Sequence, residues 1–393
     1  MGAAVKLATS FADVEAEIRR IRARDEEIAM RGNRRRMLAL KTARGRRGFH
    51  RRAGTAVSVV SPPVLGGGTY AGTSPTVTAP TYSDAGAPDS YSLRVNGVEV
   101  ASGSAAAIEA YVYALADEGY TAVLRAIRSG VADSDSNPVA IDLAAWLNAR
   151  ATAASITALL NNHVRRAAID LSLVGSAAET WINHGTGGSG TQATGTARPT
   201  FSATAIGGKP GLTFDGGDYF VTPAIDSGVA TAYAMIARFA DAATAAAFIA
   251  EYGDLGADRT LTLNTNAGSA GTLDIYADGT AGGGATASRA RSAASFAMGT
   301  PAVVTGTWDS ALSTNETEIR HAGVNVTSTR PNNANSAGGL GSQSVIIGAR
   351  KGPANHFVGA MNVLVILAHT GSWSGAQLTA LAEIEAAIAG AYA

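Results

Sequence analysis

From residue 231 onward the chain is cut into short pieces in which apolar and polar residues alternate. They cover 231–239, 247–252, 260–264, 272–276, 302–308, 316–321, 344–347 and 357–367. A period of two sends successive side chains to opposite faces, so each piece reads as a strand with one face on a core. Strands this short, joined by Gly-, Asn- and Ser-containing turns, exclude a helical bundle and point to an antiparallel sandwich or barrel. Glycine makes the turns affordable: it supplies 46 of 393 residues, where an average chain has about 7%. Over 374–393 the period changes. Ser374 stands at a cap position, and Leu378, Leu381, Ile384 and Ile388 follow at helical spacing, which predicts an amphipathic terminal helix.

The same alternation appears upstream, in 57–142. Residues 57–64 are apolar and β-branched around Pro62-Pro63, as in an edge strand. Residues 91–95 alternate, Asn96-Gly97 is a strong hairpin signal, and 98–100 resume the alternation. Further strands are expected at 108–113, 118–127 and 139–141. About seven short strands in this span suit a β-sandwich. Residues 151–166 read as a helix weakened by Thr157 and Asn161-Asn162.

Charge divides the chain. Residues 1–56 hold 15 Lys/Arg and six Asp/Glu, a net of +9, and the remainder carries −9. Ser10 can cap a helix, with Phe11, Val14, Ile18, Ile21 and Ile28 on one stripe and Asp25 in the seam. That stripe suits a short coiled coil, and a trimer is the favoured oligomer. Two readings of this basic head stay open: a solvated tail, or an anchor that orders on a partner's acidic surface. On the second reading Arg19, Arg20, Arg34, Arg35, Arg36, Arg46 and Arg47 do the anchoring. Direct nucleic-acid binding has less support, because only Phe49 is placed to stack on a base.

The absence of Cys removes disulfides, thiolate metal sites and a Cys nucleophile. No apolar run reaches the roughly 18 residues of a membrane span, so no membrane insertion is expected. The first residues lack the apolar core of a secretion signal, which predicts synthesis in the cytoplasm. Tests for chemistry come out negative. The six His share no metal spacing, and Gly207-Gly208-Lys209-Pro210 fails as a phosphate loop. Gly187-Gly188-Ser189-Gly190 lacks the spacing of a nucleophile elbow. No catalytic residue is assigned. Asp215-Gly216-Gly217-Asp218 reads first as a tight turn. Its alternative is a calcium-linked sugar site completed by Asp254 and Asp258, calcium being the one cofactor this donor set would take. Tyr219, Tyr252, Tyr276 and Trp373 are the aromatics that can stack on a sugar, each of them also a candidate for core or rim packing.

Two stretches carry family resemblances. "SYSLRVNGVEVASG", with "DEGYTAVLRAIRSGVADSDSNPVAI" behind it, resembles the bacterial and phage immunoglobulin-like domains. That family implies a β-sandwich with Tyr120 as its corner tyrosine; its usual strand Trp is missing here. "AAWLNA", "ARPTFSATAIGGKPGLTFDGGDYF", "VTGTW" and the final "FVGAMNVLVILAHTGSWSGAQLTALAEIEAAIAGAYA" resemble the concanavalin A-like (laminin G-like) jelly rolls. Glucanases of that superfamily carry an E-x-D-x-E strand, which this chain lacks. The expected fold is therefore mainly β: a helical basic anchor over 1–56, an immunoglobulin-like β-sandwich over 57–142, and a concanavalin A-like jelly roll with a terminal α-helix over 143–393. The resemblances imply a phage virion protein rather than an enzyme, a fibre, spike or decoration on the particle surface. Its N-terminus would bind other virion proteins, and its jelly roll would bind host surface glycan. A purely structural decoration and a glycan depolymerase on the same fold are the alternatives.

Overall fold

The computed structural model describes residues 57–393 except 243–245, 256–258, 266–269, 280–286, 294–295, 334–337 and 353–354. The basic head, with its seven anchoring arginines, lies outside the described residues. The protein is mainly β.

Residues 57–142 form a small module. Strands β1 (Val64–Gly67) and β2 (Pro75–Thr78) make a ribbon. Strands β3 (Ser90–Val95), β4 (Val98–Gly103), β5 (Tyr120–Ile127) and β6 (Val139–Ile141) belong to one antiparallel sheet with β3 and β5 at its centre. Asn96 and Gly97 both take positive φ, 51° and 78°, the geometry of the tightest hairpin turn. Leu65, Leu93, Ile108, Tyr113, Leu124 and Ile141 fill a core of their own. The expected strand at 57–64 is broken at Pro62-Pro63 into two short pieces. The expected strand at 108–113 is instead preceded and partly replaced by a short helix, α1 (Ala105–Glu109). Ser104 caps it through a bond from the Ala107 N–H, and three consecutive alanines favour the helical state.

Helix α2 (Leu143–Ala153) opens the larger part, capped by Asp142. The expected helix over 151–166 ends at its first residues. Ser155 turns the chain at φ 58°, and strand β7 (Ile156–His163) follows. Pairing decides this outcome: β7 finds seven partners along the final strand, which no helix could use. Next come β8 (Lys209–Asp215), β9 (Ala232–Asp241), β10 (Ala247–Gly253), β11 (Thr260–Thr265), β12 (Leu273–Asp278), β13 (Ser288–Ser292), β14 (Ala302–Asp309), β15 (Thr317–His321), β16 (Val345–Ile347), β17 (Val358–His369) and helix α3 (Gly375–Ala391). All eight alternating pieces expected after residue 230 are strands.

Together with shorter strands between them, these strands form one hydrogen-bonded circuit that closes on itself, flattened into two facing sheets. In the back sheet β17 lies between β9 on one side and β7 and β8, end to end, on the other; β14 and β15 extend it beyond β9. In the front sheet the order runs β16, β10, β11, β12, β13. Trp181, Phe214, Phe239, Trp308 and Leu364 meet between the sheets. The other face of the back sheet is covered by α2 and α3, through Leu147, Leu381, Ile384 and Ile388 against Ile236, Val363 and Val365. Leu378, expected on the buried stripe of the terminal helix, is 40% exposed. Among the described residues no helix is long and apolar enough to cross a membrane.

One ionic knot ties the small module to the larger part. The fully buried Glu118 accepts from the backbone N–H groups of Ala71 (2.7 Å) and Leu143 (2.8 Å) and pairs with Arg165 at 3.3 Å. Arg165 also donates to Asp142 (2.5 Å) and to the fully buried Asp170 (2.8 Å). Tyr120 belongs to the same junction: the Arg166 guanidinium covers its ring and donates to its hydroxyl at 2.6 Å, rather than its hydroxyl bonding within its own module. Burial raises the Glu118 carboxyl above its ordinary value despite its donors. Burial also pushes Asp170 up, but the bonds from His184 and Arg165 outweigh it and leave its carboxyl well below the usual range. Asp170 therefore contributes stability that is complete above its unfolded value, near pH 4, and lost as the pH falls through the folded value. Asp170→Asn is expected to cost about 3 kcal/mol at pH 7 and to flatten the acid limb of the stability curve. Urea unfolding across pH reads both; an unchanged acid limb would remove Asp170 from the account.

Candidate functional site

The outer face of the front sheet gathers the polar groups that a sandwich core cannot hold. On β11 and β12, Leu261, Leu263, Ile275 and Ala277 point between the sheets. Alternation then turns Thr260, Thr262, Asn264, Asp274, Tyr276 and Asp278 outward. Ala290 of β13 points inward as well, so Arg289 and Arg291 point outward. Register aligns these groups across strands. Glu251, Thr262, Tyr276 and Arg289 form one row, and Asn264, Asp274 and Arg291 form the next.

Asp274 is the centre of the second row. It is fully buried and accepts from Arg289 Nε at 2.9 Å and Arg291 Nε at 3.0 Å, with Arg289 Nη2 at 2.7 Å. Both arginine side chains remain partly exposed, so one carboxylate holds two guanidiniums at the surface. Tyr276, half-buried, lies beside them; burial, then Asp278, raises its hydroxyl above the ordinary value. Thr260 Oγ1, Thr262 Oγ1 and Asn264 Oδ1 are buried and have no hydrogen-bond partner among the described residues. Such groups are uncommon in native proteins, because each forfeits its hydration without replacement.

Glu251 fixes the rim. Its carboxylate accepts from the backbone N–H of Leu255 at 2.6 Å and from that of Lys351. Burial raises its carboxyl, a cost these two donors partly offset. Gly253 starts the first of these loops at φ 99°, and a Cβ there would stand 1.9 Å from the Arg259 carbonyl oxygen. No side chain fits that turn.

Of the aromatics singled out in the sequence, Tyr276 alone lies on this face. Tyr252 is buried between the sheets, where its hydroxyl donates to the Ile225 carbonyl at 2.8 Å, so its ring serves the core. Tyr219 sits in a turn against the His356 ring, 6.0 Å between centroids. Trp373 stacks on His369 at 5.9 Å and packs beside the helix-covered face of the back sheet. The acidic candidates do not converge either. Asp215 accepts from Gly217 N–H and Asp218 from Asp215 N–H, both at 2.9 Å, which closes a turn. Asp254 pairs with Lys351 at 2.9 Å, and Asp258 lies outside the described residues. Among the described residues no three His, Asp or Glu side chains gather as a metal site. Asp274, Arg289, Arg291 and Thr262 escaped the sequence reading. Their signal was present as the outward half of "LDIYAD" and "SRARS", two strands with charges on one face.

No family model matches the chain, and no curated protein matches it. Among solved structures it is similar to domain 4 of AbnA, an extracellular arabinanase of Geobacillus stearothermophilus in complex with arabinotriose. That likeness has 15% identity and a TM-score of 0.39, over 58% of this chain and 99% of that one. It is similar to the sialidase CBM40 of Ruminococcus gnavus bound to α2,3 sialyllactose, with 16% identity and a TM-score of 0.31 over 44% and 95%. It is also similar to the heptameric SAP-like pentraxin of Limulus polyphemus, with 10% identity and a TM-score of 0.31 over 41% and 72%. Nothing about this chain's own ligand follows from likenesses of this size.

Removing the Asp274 charge tests whether the cluster is held as described. Asp274→Asn is expected to lower stability by roughly 2 kcal/mol with the far-ultraviolet circular dichroism unchanged. Equal stability to the wild type in urea would show that the two arginines do not depend on it.

Proposed function

We propose that this chain is a display protein of a phage particle. On this reading residues 1–56 attach it to other virion proteins, and the outer face of the front sheet, centred on Tyr276, binds a host surface glycan. The binding half is supported by one observation: Thr260 Oγ1, Thr262 Oγ1 and Asn264 Oδ1, without a partner among the described residues, share a face with a half-exposed ring and two guanidiniums. Sugar hydroxyls both donate and accept, so they complement threonine hydroxyls, an amide oxygen and arginine N–H groups. An aromatic ring offers a flat apolar surface to the C–H face of a sugar. Binding without cleavage is favoured because the carboxylates of this face are already engaged, Asp274 by two arginines and Glu251 by two backbone N–H groups.

The attachment half is supported by sequence. A +9 head on a −9 remainder is suited to an acidic docking surface. The apolar stripe of that head favours a homo-oligomer, with a trimer first. One observation favours the purely structural alternative: Thr260 and Thr262 are fully buried, so the face would carry no ligand.

A printed glycan array probed with the full chain separates these readings. Binding is expected to a restricted set of glycans and to weaken about tenfold or more in Tyr276→Ala and Arg291→Ala. An array without signal would leave the structural role. Immunogold labelling of phage particles tests attachment: gold at fixed positions on heads or tails is expected, and unlabelled particles would overturn it.

A further inference from the structure

A second polar cleft opens at the other end of the molecule's chemistry, where α2 passes into β7. It measures about 460 Å³ and is lined by Asn148, Thr152, Ser155, Thr157, His184 and Thr186. That volume lies within the range of small-ligand sites. Four of the six side chains are hydroxyls; that of Thr186 donates to the Ala158 carbonyl at 3.3 Å and keeps its acceptor sites, and the others can both donate and accept. Among the described residues no carboxylate, ammonium or guanidinium lines the cleft, and His184 brings its one ring.

His184 is the built part of this cleft. Its backbone N–H donates to the Asn161 carbonyl at 3.2 Å, and its carbonyl accepts from Asn148 Nδ2 at 2.6 Å. Asn148 is fixed in turn by Asn161, whose side-chain amide donates to it at 2.9 Å. Gly185 presses the following backbone onto β7: a Cβ there would stand 2.5 Å from the Ala158 carbonyl oxygen. The imidazole is oriented from behind. Nε2 lies 3.0 Å from Oδ1 of the fully buried Asp170. Arg165 Nη2 lies 3.2 Å from the same nitrogen, and also donates to Asp170 Oδ1 at 2.8 Å. Nε2 is held between an accepting carboxylate and a donating guanidinium, which fixes the ring, and Nδ1 is left to accept from a ligand or, when protonated, to donate to it. Nδ1 makes no hydrogen bond among the described residues, and the side chain is 23% exposed.

Behind the ring one guanidinium, Arg165, is shared among three carboxylates, Asp170, Asp142 and Glu118, while the cleft lining itself holds an imidazole, an amide and four hydroxyls. An anion would find no counter-charge in that lining and an excess of carboxylates behind it. A molecule with several adjacent hydroxyls would find a partner for each.

We propose that this cleft is a binding subsite for a neutral sugar, whose adjacent hydroxyls meet Nδ1 of His184 and the hydroxyls of Thr157 and Thr186. It is distinct from the Tyr276 face and does not depend on a ligand binding there. The missing aromatic platform means that the sugar is held by its hydroxyl edge rather than by its ring face.

The imidazole ¹H–¹⁵N correlations of the full chain read this directly. Galactose, glucose and mannose serve as probes, with glycerol as the control for a polyol bound without recognition; His184→Gln assigns the resonance. A saturable shift of the His184 signal is expected with at least one of the three sugars and not with glycerol. Thr157→Val keeps a β-branched residue in the strand and leaves the Asp170 contact intact. It is expected to weaken that binding about tenfold, while Tyr276→Ala leaves it unchanged. No shift with any sugar would overturn the proposal. So would an equal shift with glycerol, or undiminished binding by Thr157→Val.

Discussion

Strand β17 is buried on both faces, and the larger part of the protein is arranged around that fact. Met361, Leu364 and Ile366 enter the core between the sheets, while Val363, Val365 and Leu367 enter the core beneath the helices. A strand so placed has no polar face, which is why "MNVLVILA" reads as a nearly unbroken apolar run. Its hydrogen-bonding edges are equally committed. One edge pairs with β9 along its whole length, and the other is divided between β7 and β8. Antiparallel β-sheet and helical cover are thus required of the sequence before and after it, and α3 follows only five residues downstream.

The second constraint is the junction between the small module and the larger part. Glu118 bonds to backbone on both sides of itself, at Ala71 and at Leu143, and meets an arginine from beyond β7. Gly72 allows the same approach from another direction: a Cβ there would stand 2.8 Å from the Gly390 backbone near the end of α3. Residues Val57–Ala393 accordingly form one compact unit. The module is joined to the larger part by a buried ion pair and a close backbone approach as well as by the chain itself.

What was legible in the sequence follows from this physics. A strand with one polar face announces itself by alternation, and each alternating piece after residue 230 is a strand. Residues near α1 and β7 were misread for opposite reasons. Ala105–Glu109 is too short for periodicity to show, and its serine cap and alanines decided it locally. Ile156–His163 carries Asn161, Asn162 and His163 in fully buried positions, where an expectation of apolar strand residues fails. The Asn161 and Asn162 side chains are held by Asn148 and by the Trp181 carbonyl across long sequence separations, which a one-dimensional pattern does not contain, and His163 is held by Asn161. The candidate site was half legible. Tyr276 was singled out as an aromatic, but its neighbours come from three strands brought into register, and only the fold sets them side by side.

The way Glu251 holds the rim of the front sheet has a consequence for how this surface can diversify. Its carboxylate grips two loops by backbone N–H groups, at Leu255 and Lys351, and every residue but proline supplies such a group. These two bonds do not depend on which side chains Leu255 and Lys351 carry. Sequence drift at Leu255 and Lys351 can alter what the face recognises without releasing the loops that frame it, so long as Glu251 and Gly253 of β10 stay in place.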